Sequence, residues 1–164
     1  MKKKKPVKGN KIYIFGILLE HNNPHSQVRK EVWRDIAILD DQNLYQFAEA
    51  IVDAFGFEFD HCFGFFDNLK RWVDSKIKYE LFADLKNQSI ESVDSKSVKK
   101  TKIQQVFKNK GDKMLFLFDY GDNWEFIVQL KNIDEPDFKK SYPQVIKSIG
   151  QAPEQYQLFE GDEE

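Results

Sequence analysis

Asp119, Asp122 and Glu125 lie within seven residues of one another, around the turn Gly121-Asp122-Asn123. Three carboxylates at one tight turn can aim their oxygens at a hard cation such as Mg²⁺ or Ca²⁺, or divide acid and base work between them. The same residues also make a turn for its own sake. Asp and Asn side chains bond nearby amides and tolerate left-handed backbone. The turn role is the stronger of the two, because no His-rich partner motif follows.

His61 stands between Asp60 and Cys62. A Cys–His nucleophile pair needs direct contact, and neighbours on a strand point to opposite faces. A carboxylate across the sheet is the more natural partner for His61. The alternative is a half-buried imidazole that satisfies a backbone carbonyl. His61, Asp119, Asp122 and Glu125 are thus the candidate catalytic residues.

Arg34, Trp33, Trp124 and Tyr120 are the candidate binding residues. Core packing accounts for most rings in such a chain. One ring beside Arg34 would still make the wall of a ligand groove, since Arg stacks on an indole and forks a carboxylate or phosphate. Exposed rings also stack bases. There is no Gly-rich phosphate loop, no Ser nucleophile elbow and no zinc-spaced Cys/His set, so no cofactor and no metal site are expected.

The elements that must position these residues follow from the apolar pattern. Lys11 to Leu19 and Val32 to Leu39 read as strands rich in β-branched and aromatic residues. The second is apolar enough on both sides to leave its buried face ambiguous. Gln42 to Phe55 is the clearest helix, with Leu44, Phe47, Ala48, Ile51, Val52 and Phe55 on one stripe. Asp40 or Asp41 is the expected N-cap and Gly56 the left-handed stop. His61 to Phe66 and Lys78 to Phe82 read as further strands, Asn87 to Lys100 as a mobile connection, and Thr101 to Gln104 as a capping box opening a short helix. Met114 to Asp119, apolar on both faces, is expected to pair antiparallel with Trp124 to Leu130 in the sheet interior.

The chain has 164 residues, a formal charge of −2 and 15% aromatic residues, fifteen of them Phe. That length suits one domain with a core built largely from rings. A near-neutral balance argues against a surface that is one phosphate-binding field. Lys2 to Lys5 and the acidic Gly161 to Glu164 are expected to be solvated ends. The domain plan is a mobile basic start over 1–10, one domain over 11–158 and an acidic tail over 159–164. One cysteine, Cys62, excludes an internal disulfide, and no apolar run approaches the ~20 residues that span a bilayer. A reducing, cytoplasmic location without membrane contact fits these features.

Four segments in order resemble the Ri-plasmid ORF-3-like family. They are Val32-Trp33-Arg34; Ala54-Phe55-Gly56-Phe57 with His61 and Phe65; Phe118-Asp119-Tyr120-Gly121-Asp122-Asn123-Trp124-Glu125; and Tyr142-Pro143 with Gly150-Gln-Ala-Pro153-Glu-Gln-Tyr156. The third is the most specific. The chain departs from the family where Asp35 replaces an Arg, Phe57 a Trp and Phe126 a His, and where Gln-Ala-Pro-Glu replaces a Cys-containing tail. The resemblance implies a compact α+β domain. Some relatives carry labels such as resolvase or are joined to DNA-binding domains, but the resemblance brings no established activity.

The expected fold is α+β: a mixed or largely antiparallel sheet of about five or six strands with the helix Gln42 to Phe55 packed on it. The expected function is a binding or interaction module with a protein or nucleic-acid partner; the resemblance implies a tie to mobile elements or DNA transactions. The alternative is a metal-dependent hydrolase or nuclease using Asp119, Asp122, Glu125 and His61.

Overall fold

The structure is a computed structural model that describes residues 2–20, 31–85 and 94–156. Eight strands form one sheet: β1 (Ile12–Leu19), β2 (Trp33–Leu39), β3 (Phe63–Phe66), β4 (Lys78–Glu80), β5 (Lys96–Ser97), β6 (Lys113–Phe118), β7 (Trp124–Asp134) and β8 (Gln144–Ile149). Their spatial order is β5-β4-β3-β6-β7-β1-β2-β8. Every pairing is antiparallel except β4 with β5. Two α-helices, α1 (Leu44–Ala54) and the single turn α2 (Ile103–Val106), and two short 3-10 turns, Trp72–Asp74 and Leu81–Asp84, complete the described fold.

The α+β class and the dominant helix agree with expectation, and the strand count corrects it from five or six to eight. The two unforeseen strands are the edges. β5 has only two residues, and in β8 every residue after Gln144 is exposed. Neither offers the apolar alternation by which a strand is recognised. The central hairpin holds as expected, with Met114 opposite Val128 and Phe118 opposite Trp124.

Helix α1 starts at Leu44, two residues later than the expected Gln42. Its cap is Asn43, whose Oδ1 accepts the Gln46 amide at 2.8 Å while Gln46 Oε1 accepts the Asn43 amide at 2.9 Å. This reciprocal pair satisfies two otherwise orphaned donors. Asp40 is occupied elsewhere, accepting from the Lys11 amide at 3.2 Å. The helix ends where expected, at Gly56 with φ of +75°.

Side chains alternate across the sheet, so each strand serves two environments. One face carries Phe15, Ile17, Ile36, Phe63, Phe65, Phe116, Phe118 and Phe126, and α1 lies over it. Phe47 of α1 sits 4.5 Å from the Phe15 ring and 5.7 Å from Phe65, and Phe55 stacks on Phe126 at 4.8 Å.

The opposite face is covered only at its ends. Leu69, Trp72 and Tyr120 pack on Phe66, Leu115 and Leu117 at one end, and Tyr142 packs with Ile12, Ala37 and Leu39 at the other. Lys4 fastens the basic start there, exchanging two backbone hydrogen bonds with Tyr142 at 2.7 and 2.8 Å. Between these ends the middle of the sheet, around Gly16, Trp33 and Gln129, remains partly exposed. No helix among the described residues is long and apolar enough to cross a membrane. The loop at 21–30, the first half of the connection at 87–100 and the acidic tail lie outside the described residues.

Candidate functional site

The turn between β6 and β7 is built from its own side chains. Asp119 has φ of +64° and Asn123 of +57°, the left-handed geometry these residues tolerate. Asp119 Oδ1 accepts the amides of Gly121 at 3.1 Å and Asp122 at 3.2 Å. The Asp119 amide donates to the Cys62 carbonyl at 2.9 Å, which brings the turn against the segment that carries His61.

His61 therefore does meet a carboxylate across the sheet. Its Nε2 is 3.5 Å from Asp119 Oδ2, and its Nδ1 is 2.7 Å from Asp60 Oδ1. Asp60 in turn accepts the Tyr156 hydroxyl at 2.6 Å and the Gln155 amide at 3.2 Å. Gln155 also pairs with the Glu58 backbone, so the C-terminal described segment is stitched to residues 58–61.

With a carboxylate at each nitrogen, this imidazole is stabilised as the cation. The Asp60 hydrogen bond raises its pKa above 6.5; burial opposes the rise, and the charges of Asp119, Asp60 and Asp122 add to it. Burial pushes Asp60 up, but hydrogen bonds from Tyr156 and His61 hold it below 3.8. A raised histidine contributes stability fully below 6.5 and loses it as pH rises through its folded value. A depressed Asp60 contributes above 3.8 and loses it as pH falls through its folded value. The link from Asp60 and His61 to Tyr156 is thus strongest in the weakly acidic range. An NMR titration is expected to place the His61 imidazole above 6.5, and Asp60→Asn to lower it. A midpoint at or below the ordinary value would contradict this geometry.

Glu125 does not join the cluster. It follows Trp124 on β7, so its carboxylate lies on the opposite face, where it accepts the Asn123 side-chain amide at 2.5 Å. Asp122 is exposed and reaches His61 only through its field. Among the described residues no group of three or more His, Cys, Asp and Glu side chains is arranged to hold a metal ion.

The candidate binding residues separate as well. Arg34 is 8% exposed and serves as a staple. Its Nε donates to the Ala54 carbonyl at 3.0 Å, and one terminal nitrogen donates to the carbonyls of Trp33, Ile149 and Gly150 at 2.7 to 3.1 Å. Burial lowers its pKa, and the guanidinium also lies 5.1 Å over the Phe55 ring. Trp124 is a core ring, 4.8 Å from Phe57. Tyr120 stacks on Trp72 at 5.4 Å and donates to Glu80 at 2.6 Å, and burial together with that carboxylate raises the phenol pKa. Of the four, Trp33 lines an open groove.

That groove, of about 230 Å³, lies on the uncovered middle of the sheet. Two parallel rows set by strand register run through it and beyond it onto β8. One row is apolar: Ile149 of β8, Trp33 of β2, Leu18 of β1 and Ile127 of β7 stand directly opposite one another. The neighbouring row is polar: Lys147, Asp35, Gly16, Gln129 and Lys113 follow across five strands. Two β-bulges fall beside this patch, at Lys131 between the partners of Ile14 and Phe15, and at Ile146 between those of Asp35 and Ile36. A bulge re-aims the extra side chain. The Lys131 ammonium sits 3.0 Å from Asp35 and 6.0 Å from the Trp33 ring, and Lys147 is also 6.0 Å from that ring. Gly16 leaves the floor low: a Cβ there would come within 2.8 Å of the Lys131 side chain.

Sequence reasoning found Trp33 and missed its companions. Lys113, Lys131 and Lys147 come from three separate strands, and only register and bulges place them together. Asp60 and Tyr156 were likewise invisible as a pair, being far apart in the chain.

A family model described as plasmid pRiA4b ORF-3-like protein matches residues 12–156. No curated protein matches the chain. Among solved structures, the crystal structure of a protein of unknown function from Methanosarcina mazei Go1 is similar, with a TM-score of 0.66 and 21% identity over 88% of this chain and 72% of that one. At that identity the likeness concerns the fold.

Proposed function

Because the chain belongs to the plasmid pRiA4b ORF-3-like family, whose biochemical role is unassigned, we propose its function from geometry: a non-catalytic binding module for an anionic partner. Its working surface is the uncovered middle of the sheet. The observation that carries this reading is the pairing of an apolar row that includes Trp33 with a polar row bearing Lys147 and Lys113, with Lys131 beside them at a bulge. Lys131 is engaged by Asp35, and Glu125, on the same face, is engaged by the Asn123 side chain, which leaves the Lys113 and Lys147 ammonium groups at the two ends of the polar row without a carboxylate partner among the described residues. The surplus is positive, although the whole chain carries −2.

Two other places serve less well. A larger hollow of about 540 Å³ beside the start of α1 mixes Lys2 and Lys99 with Glu49, and its Asn43 and Gln46 amides are used in the cap. The hydrolase alternative needs Glu125 and a neutral imidazole nitrogen free to act. Glu125 stands on the other face, and both His61 nitrogens face carboxylates.

Inorganic polyphosphate tests this reading, because it offers negative charge and nothing else. Calorimetric titration is expected to detect binding that weakens from about 50 to about 200 mM salt. The triple change Lys113→Gln, Lys131→Gln and Lys147→Gln is expected to abolish it without lowering the melting temperature by more than a few degrees. Equal binding by the triple variant and the wild type would refute the assignment. Mg²⁺ or Mn²⁺ alone is expected to leave the melting temperature unchanged; a saturable rise would instead favour the hydrolase.

A further inference from the structure

We infer that the partner on this face is single-stranded nucleic acid, with a base against Trp33 and its phosphates on the flanking lysines; this rests on the anion-binding reading above. The apolar row supplies the first reason. Trp33 is the one ring on the open groove, and an indole offers a flat, partly exposed surface on which any base stacks. A purely phosphate-binding face would have no use for it.

The lysines supply the second. Lys147 stands 6.0 Å from the Trp33 ring, the outer limit of cation–π contact, and can swing to an anion at small cost, whereas Lys131, at the same distance, is held by Asp35 at 3.0 Å. Lys147 and Lys113 end a row that crosses five strands. Four inter-strand steps of about 4.8 Å separate them by roughly 19 Å. One phosphate cannot reach both ends, whereas successive phosphates of a strand can.

Groove size and polarity agree. At about 230 Å³ the groove is smaller than a site that encloses a whole small ligand, and suits one planar unit of a longer molecule. Gln129 lines it, and its carboxamide has no hydrogen-bond partner among the described residues. It can donate to or accept from a base edge. Gly16 matters here because a Cβ there would displace the Lys131 side chain from its place across the strand. Duplex DNA would hide its base faces and gain nothing from Trp33.

Fluorescence anisotropy with a labelled thymidine strand of about ten nucleotides decides the matter, compared with an abasic strand of equal length, a duplex and thymidine monophosphate as competitor. The thymidine strand is expected to bind roughly 5- to 150-fold tighter than the abasic strand, the contribution of one stacked base. Trp33→Ala is expected to erase that preference while keeping the abasic affinity. Lys147→Glu, on the exposed edge strand, is expected to weaken both strands and to reduce the salt slope by about 0.7, even if the Trp33 variant proves too unstable to assay.

Equal affinity for the two strands, with polyphosphate binding intact, would overturn the nucleic-acid inference and leave the anion-binding reading standing. Monophosphate competing as well as the strand, per mole, would overturn the strand and point to a free nucleotide. Duplex binding as tight as the single strand would overturn the role given to Trp33. Loss of polyphosphate binding as well would sink both readings together.

Discussion

Replacing Phe47 with Ala is expected to cost about 3–5 kcal/mol of folding stability, the largest loss available from a single side chain of α1. Phe47 is fully buried and sits among Phe15, Phe65 and Phe107 at centroid distances of 4.5 to 6.2 Å. Truncation removes the transfer energy of a ring and leaves a space that the surrounding elements cannot close without shifting Phe15, Phe65 and Phe107. Asp53 lies on the exposed side of the same helix, and Asp53→Ala is expected to change stability by no more than about 0.5 kcal/mol. Urea melts measure both. Similar losses for the two variants would mean that α1 presents a different stripe to the sheet.

Arg34→Ala is expected to cost about 3 kcal/mol, through a different mechanism. The guanidinium gathers carbonyls from the end of α1, from β2 and from the segment leaving β8. Hydrogen bonds to a charged donor are each worth about 1.5–3 kcal/mol, and losing the donor leaves buried carbonyls unpaired. The sum is not additive, because the exposed end of β8 admits water. Arg34→Lys is expected to recover only part of the loss, since a single ammonium cannot serve Ala54 on one side and Gly150 on the other. The variant also reaches the proposed binding face, because Lys147 rides on β8. Amide exchange at Ser148 and Ile149 is expected to accelerate in Arg34→Ala while exchange at Phe116 stays slow. A stability within about 1 kcal/mol of wild type would show that these four contacts are replaceable by solvent.

Arg34 also illustrates what can be read in a chain of this kind. Its residue type suggested a fork for an anionic ligand, and the fork exists, but it holds the protein's own carbonyls. The α1 stripe, the central hairpin and the Asp119 turn were legible because each depends on residues close together in sequence: a 3.6-residue period, two apolar runs, an Asp bonding the amides two and three positions on. The eighth strand was not legible, because an exposed edge such as Gln144–Ile149 carries no burial pattern. The cap was misplaced by two or three residues because Asp40, Asp41 and Asn43 are all good acceptors, and tertiary contact with Lys11 decided where Asp40 went.

The candidate sites show the same division. His61 was singled out with a carboxylate partner across the sheet, and Asp119 is there; Glu125 was grouped with them by proximity in sequence, and strand alternation sends it to the other face. The groove at Trp33 depends on direct opposition of residues from five strands and on two bulges. Register of that order has no local signature, so lysines at 113, 131 and 147 read as ordinary surface charge until the sheet is assembled.

The most direct test of the proposed working surface is an NMR titration of the labelled protein with the thymidine strand, following backbone amides and the Trp indole resonances. The account predicts shifts concentrated at Gly16, Leu18, Trp33, Gln129, Lys131 and Lys147, with the Trp33 indole signal moving most and the residues around His61, Asp119 and Tyr156 unmoved. Shifts centred instead on residues 58–61, 119–123 and 155–156, or no shifts at saturating strand, would contradict it.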